Sequence, residues 1–289
     1  MNNSRTAEPA AKPAAELTEH TEHAEQSVTR HVRLGAVGYL NARPLVHGLD
    51  ARTDLFDLRF DVPSTCATLL HDGEIDLGMI PSIEYLRGPG PYRIVPDLGI
   101  MSDGDVASVA LFTRVPLREV RTIGLDTSSR TSAGLTRVLC REAWDIDPTF
   151  EAVPPDAAAR VEEHDAALLI GDPALFLDYE AAGLTKIDLG AEWTRMTGLP
   201  FVWAFWAGRP DAIDANGIAA LQQARDRGTK DSDAIADAYC GSSRAEACRR
   251  YLRENIKYRL GDRETQGLRR YYELAAKHGL VEYAAVKFY

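Results

Sequence analysis

The residues best suited to chemistry gather where apolar runs end. Gly38-Tyr39-Leu40-Asn41-Ala42-Arg43-Pro44-Leu45 follows directly on the run Val32–Val37. Its glycine permits close backbone approach, Asn41 can hold a ligand or cap a helix, and Arg43 can meet an anion. Two readings stay open here: a ligand loop that includes Tyr39, or a strand-to-helix turn capped by Asn41. The spacing is not G-x-G-x-x-G, which disfavours a dinucleotide.

A second cluster is Asp126-Thr127-Ser128-Ser129-Arg130-Thr131-Ser132. A helix start offers free N–H groups and partial positive charge, so hydroxyls and a guanidinium placed there form a seat for a carboxylate or phosphate. Capping alone needs one hydroxyl, and Ser129, Arg130, Thr131 and Ser132 exceed that need. The Gly-Lys of a P-loop is missing, which argues against nucleotide hydrolysis. Ser82, in Ile80-Pro81-Ser82-Ile83-Glu84-Tyr85, either faces a ligand or caps a helix. Asp172 precedes Pro173 in a common N-cap arrangement, with a ligand role as the other reading. Ser108 lies in the apolar run Val106–Leu111 and needs a polar partner, which a ligand could supply. There is no G-x-S-x-G elbow, no H-E-x-x-H and no His/Asp/Ser set at recognisable spacing. No metal site is expected.

These groups need elements to position them. Apolar or alternating runs predict strands at 32–37, 56–62, 76–80, 92–96, 106–113, 122–126, 150–153, 166–170, 185–189 and 201–207. Helices fit at 63–72, 131–144, 155–163 and 172–182. Pro63 suits the start of the first and Gly73 its end. Beyond residue 208 the texture turns helical, at 211–227, 231–240, 243–257 and 262–278. The alternation predicts an α/β protein with a largely parallel sheet. Ligands in open α/β sheets bind beyond the carboxyl ends of strands, where the polar clusters fall.

The chain has 289 residues, with 33 Lys+Arg against 43 Asp+Glu and a net charge of -10. An acidic balance argues against a nucleic-acid binder. Residues 31–208 hold 15 basic and 26 acidic residues, whereas residues 209–289 hold 15 and 12. No window approaches the 18 apolar residues of a membrane span. Residues 1–30 lack the hydrophobic stretch of a secretory signal and read as a disordered tail. A cytoplasmic location follows as an expectation. The four cysteines, Cys66, Cys140, Cys240 and Cys248, form no C-x-x-C pair, and reduced thiols are expected. His47, His71 and His164 fall near predicted helix ends and read as surface residues.

Taken together, Gly38–Leu45 (GYLNARPL), Ile80–Tyr85 (IPSIEY), Val106–Leu111 (VASVAL), Leu125–Ala133 (LDTSSRTSA), Leu168–Leu175 (LLIGDPAL) and Asp188–Ala204 (DLGAEWTRMTGLPFVWA) closely resemble the chorismate dehydratases of the futalosine route to menaquinone. The likeness runs from about residue 32 to the C-terminus. One departure is Asp105, where the family pattern has Pro.

The resemblance implies a two-lobed fold like type II periplasmic binding proteins, the chain crossing twice between lobes. One lobe would comprise 31–113 plus 205–289 and the other 114–204, with crossings near 114–120 and 199–205. It implies loss of water from chorismate to give 3-(1-carboxyvinyloxy)benzoate, without a cofactor. Carried onto this sequence, Asn41 and Ser108 are the catalytic candidates. Tyr39, Arg43, Ser82, Ser129, Arg130, Thr131, Ser132 and Asp172 are the substrate-binding ones. The substrate's own enolpyruvyl carboxylate would act as base, oriented by Asn41. The small-molecule substrate is the partner so implied, and the oligomeric state is left open. Two rivals stand: the sibling enzyme that makes 1,4-dihydroxy-6-naphthoate, and a non-catalytic binding module for a small anion.

Overall fold

A computed structural model describes residue 1, residues 31–154, residue 161 and residues 163–289. The tail expected over 1–30 and the helix expected over 155–163 lie almost wholly outside the described residues. Among the described residues, eleven strands form two sheets.

In the first sheet, β1 (Val32–Val37) is flanked by β2 (Phe56–Asp61) and β3 (Leu77–Pro81), both parallel to it. The alternating β2 forms the half-exposed edge, and the wholly apolar β3 is buried on both faces. A 3-10 turn, Leu40–Val46, follows β1. Helix α1 (Pro63–Asp72) carries the chain from β2 to β3. Pro63 opens it, and Gly73 closes it in the left-handed region at φ 76°, donating to the carbonyls of Leu69 and Leu70. A short α2 (Glu84–Arg87), β4 (Arg93–Ile94) and β5 (Ile100–Ser102) follow.

The chain then enters the second sheet. It contains β6 (Val109–Thr113), β7 (Thr122–Asp126), α3 (Arg130–Glu142), β8 (Thr149–Val153), β9 (Ala166–Ile170), α4 (Gly171–Phe176), β10 (Thr185–Asp188) and α5 (Leu189–Thr197). Its order is β10-β6-β9-β7-β8. From there β11 (Phe201–Gly208) returns to the first sheet and lies antiparallel between β3 and β4, completing the order β2-β1-β3-β11-β4. Helices α6 (Ala215–Lys230), α7 (Ser232–Cys240) and α8 (Ala245–Arg250), a π-helical turn (Tyr251–Asn255) and α9 (Asp262–Lys277) finish the fold. Helix α9 buries Leu268, Tyr271 and Tyr272. Gly267 makes its close approach possible, because a Cβ there would run into the Pro200 carbonyl.

Several expectations need correction. Neither sheet is largely parallel: β11 runs antiparallel to β3, β4 and β5, and β6 runs antiparallel to β9 and β10. A strand entering from the other lobe arrives from the far side, so it reverses direction. Strand β6, assigned above to the first lobe, pairs in the second sheet, and Phe201–Ala204 of β11 pairs in the first. The chain therefore changes sheets between Ser102 and Val109, and again between Thr197 and Phe201. The strand expected from 106 begins at Val109, because Ala107 takes a positive φ of 62°. Helix α4 stops at Phe176, not 182. Cys240 and Cys248 are joined in a disulfide, not reduced; α7 ends at Gly241 and α8 folds back beside it, setting their Cα atoms 6.6 Å apart. His164 is buried and meets the Glu151 carboxylate at 3.1 Å.

One apolar core runs through both lobes. Trp193 and Trp206 are fully buried within it. Side chains of that size contribute upward of about 2 kcal/mol each on burial. No helix among the described residues is long and apolar enough to cross a membrane.

Candidate functional site

The carboxyl ends of β1, β3, β7 and β9 point toward the junction of the two lobes. Each strand there hands over to a turn or helix start. Between them lies a cavity of about 60 Å³. Its polar lining is Tyr39 and Asn41 from the 3-10 turn, Ser108 from the crossing before β6, and Ser129 and Ser132 from the start of α3. Gly171 after β9, Trp203 and Ala204 of β11, and apolar residues such as Val37, Pro63, Pro81 and Ile100 complete the wall. Gly171 has φ 64°, which favours glycine, and the Tyr39 ring lies over it.

Ser108 is held from several sides. The Asp188 carboxylate accepts the N–H of Val106 (3.0 Å) and Ala107 (2.7 Å), as well as those of Gly190 (2.9 Å) and Ala191 (3.1 Å), where it caps α5. Lys186 Nζ donates to the Ala107 carbonyl at 2.7 Å. Both polar groups of the left-handed Ala107 are thus clamped, which offsets the cost of its conformation. Gly171 N–H donates to the Ser108 carbonyl at 2.8 Å. The Ser108 hydroxyl lies 2.7 Å from the buried Tyr251 hydroxyl. Burial raises the Asp188 pKa, against the pull of its amide donors, and lowers that of Lys186.

At the start of α3, Ser129 occupies the N-cap yet makes no capping bond with its side chain. Its Oγ instead lies 2.7 Å from Ser132 Oγ, so both hydroxyls stand together at the positive end of a 13-residue helix. Beneath them the buried Asp126 carboxylate accepts the N–H and hydroxyl of Ser128 at 2.7 and 2.6 Å. Burial raises the pKa of Asp126.

Five of the ten candidates line the cavity, and five do not. Thr131 Oγ1 accepts the Ile83 N–H at 3.2 Å and lies 3.4 Å from Ser82 Oγ. Tyr271 and Tyr272 donate to the carbonyls of Thr131 and Ser82. Arg130 meets the buried Glu84 at 2.6 Å, and Arg87 meets its other oxygen at 3.3 Å. Ser82, Thr131 and Arg130 therefore tie the two lobes together along the cavity's flank. Asp172 lies within the first turn of α4, not at its cap, and accepts the Tyr239 hydroxyl at 2.9 Å. Burial and Asp172 push the Tyr239 phenol up to about 12. Arg43 donates to the Gly38 carbonyl at 3.1 Å, and its guanidinium lies over the rings of Phe60 and Tyr239. It lines a separate groove of about 550 Å³ with His47, Asp50, Leu58 and α7.

Sequence reasoning missed Tyr251, Lys186, Asp188 and Trp203 as neighbours of the site. Asp188 opens a recognisable motif, and its role as a helix cap was legible. Nothing in the local pattern around Tyr251 separates it from other apolar positions of a helix.

The chain matches a family described as menaquinone biosynthesis over residues 32–277. It is 31% identical over 225 residues to a chorismate dehydratase of Thermus thermophilus, covering 71% of this chain and 80% of that protein. Solved structures share the fold. A protein from Archaeoglobus fulgidus superposes with a TM-score of 0.72 at 18% identity, covering 87% of this chain and 98% of the other. The alkanesulfonate-binding protein SsuA from Xanthomonas axonopodis pv. citri, bound to MOPS, gives 0.65 at 16% identity, covering 88% and 94%. The shared architecture is that of periplasmic binding proteins.

Proposed function

Because the chain belongs to the menaquinone-biosynthesis family, we propose that it is a chorismate dehydratase, a hydro-lyase that converts chorismate to 3-(1-carboxyvinyloxy)benzoate and water. The family match, with a relative of that activity, carries the reading. A biosynthetic reaction on a small anion fits a cytoplasmic enzyme.

The chemistry suits the groups in the cavity. The ring carbon that bears the enolpyruvyl ether loses its proton to the substrate's own enolpyruvyl carboxylate. Asn41 orients that carboxylate. The electron pair left on carbon spreads through the adjacent double bond into the ring carboxylate. Ser129, Ser132 and the first-turn N–H groups of α3 hold that carboxylate and favour the charge gathering on it. The neighbouring C–O bond then breaks, its oxygen takes up a proton and leaves as water, and the ring becomes aromatic. Ser108 lines the same cavity, and in this reading its hydroxyl serves the departing oxygen. A weak internal base suffices when it is well placed, since intramolecular groups reach effective molarities on the order of 10⁵–10⁸ M.

A net charge of -10 does not oppose this reading. A bound dianion feels the dipoles and hydroxyls around it, while surface charges beyond roughly 8–10 Å are screened. The test is to incubate the purified protein with chorismate and follow the ultraviolet absorbance of the aromatic product. Retention of chorismate without conversion would mark a binding module instead.

A further inference from the structure

We propose that Tyr251 is a positioning residue for the dehydration, fixing the hydroxyl of Ser108 as a proton donor aimed into the cavity. The inference rests on the dehydratase reading above.

Tyr251 begins the π-helical turn that interrupts the chain after α8. Such widened turns are frequent at functional sites, because they re-aim a side chain that a regular helix would send elsewhere. Its ring is buried, and its hydroxyl lies 2.7 Å from Ser108 Oγ, itself buried. The Ser108 backbone is already fixed: Asp188 and Lys186 clamp Ala107 before it, and Gly171 takes its carbonyl. What remains free is the rotation of its hydroxyl. Two hydroxyls at 2.7 Å share one proton between their oxygens, so one must donate to the other.

We take Tyr251 as the donor. Asn41 is a second hydrogen-bonding neighbour of the Tyr251 hydroxyl. Tyr251 spends its own proton on Ser108 Oγ, 2.7 Å away. Ser108 then has its proton left for the cavity it lines. One phenol thus couples the amide that orients the substrate carboxylate to the hydroxyl that meets the leaving group. Tyr251 is absent from the cavity wall and acts through Ser108.

The experiment is a double-mutant cycle on the full chain with chorismate as substrate. Tyr251→Phe keeps the ring and removes only the hydroxyl. Its kcat should fall about 10- to 100-fold, with KM changed by less than about threefold. Ser108→Ala should lower kcat at least as much, and adding Tyr251→Phe to it should cost nothing more. The double variant also leaves no orphaned hydroxyl, so it should melt near wild type even where Tyr251→Phe alone melts early. Wild-type kcat in Tyr251→Phe, or losses that multiply in the double variant, would overturn the inference while the dehydratase reading stands. A wild-type protein that leaves chorismate unchanged overturns both.

Discussion

Two hollows meet at the 3-10 turn Leu40–Val46, and they differ in kind. The inner cavity lies between the lobes and holds about 60 Å³, while the outer groove beside α7 holds about 550 Å³. Asn41 faces the inner one, and Arg43, two residues on, faces the outer one. The outer groove is larger and carries the more obvious charge. Its polar groups are already engaged: Arg43 with a carbonyl and two rings, His47 with Asp231 at 3.3 Å. In the inner cavity, an amide and three serine hydroxyls arrive from three separate stretches of chain. Convergence at strand ends, not volume or formal charge, distinguishes a site built for a reacting anion.

The contrast can be broken by substitution. Asn41→Ala should have the largest effect, lowering kcat for chorismate by about 100-fold or more, since it removes the group proposed to align the internal base. Steady-state kinetics on the purified variant would check this.

Asp188→Asn should come next. An amide in place of the carboxylate turns an NH₂ toward one of the backbone donors, frees Ala107 and lets Ser108 drift. A loss of about 1–3 kcal/mol in stability and about tenfold in kcat is expected, read by thermal melts and kinetics. The same residue sets a pH signature. Burial raises its pKa above the ordinary 3.8. Between 3.8 and the raised value, the folded protein binds this proton more readily than the unfolded chain does. This group therefore favours folding as pH falls through that window. The clamp, however, works only when ionised. As pH falls through the raised value toward 3.8, activity should consequently decline while the protein remains folded, and parallel activity and circular-dichroism titrations would separate the two.

Arg43→Gln should have the smallest effect, within about threefold in kcat/KM, because the proposed chemistry does not use the outer groove. A loss as large as that of Asn41→Ala would erase the distinction between the hollows.

Much of this arrangement was legible in local pattern. Pro63 and Gly73 bound α1 because capping and backbone conformation are local properties. The apolar runs at 32–37 and 166–170 became strands because buried parallel strands need no alternation. Asn41, Ser108, Ser129 and Ser132 stood out as polar residues at the ends of such runs. What escaped the reading depends on distant partners. Arg130 looked like an anion seat until Glu84, 46 positions earlier, was brought against it. The reversal of β11, the pairing of Cys240 with Cys248 and the contact of Tyr251 with Ser108, 143 residues away, are tertiary events with no short-range signature.

Strand β11 has a consequence for the order in which the protein can be assembled. Strands β4 and β5 join the first sheet only through it, and β3 presents an unpaired side until it arrives. Residues 201–208 leave the ribosome only after the entire second lobe has been made. The first-sheet segments synthesised earliest must wait, incomplete, for the last ladder, whereas the second sheet has all its strands by residue 188. During synthesis, then, the later lobe is the first that can close.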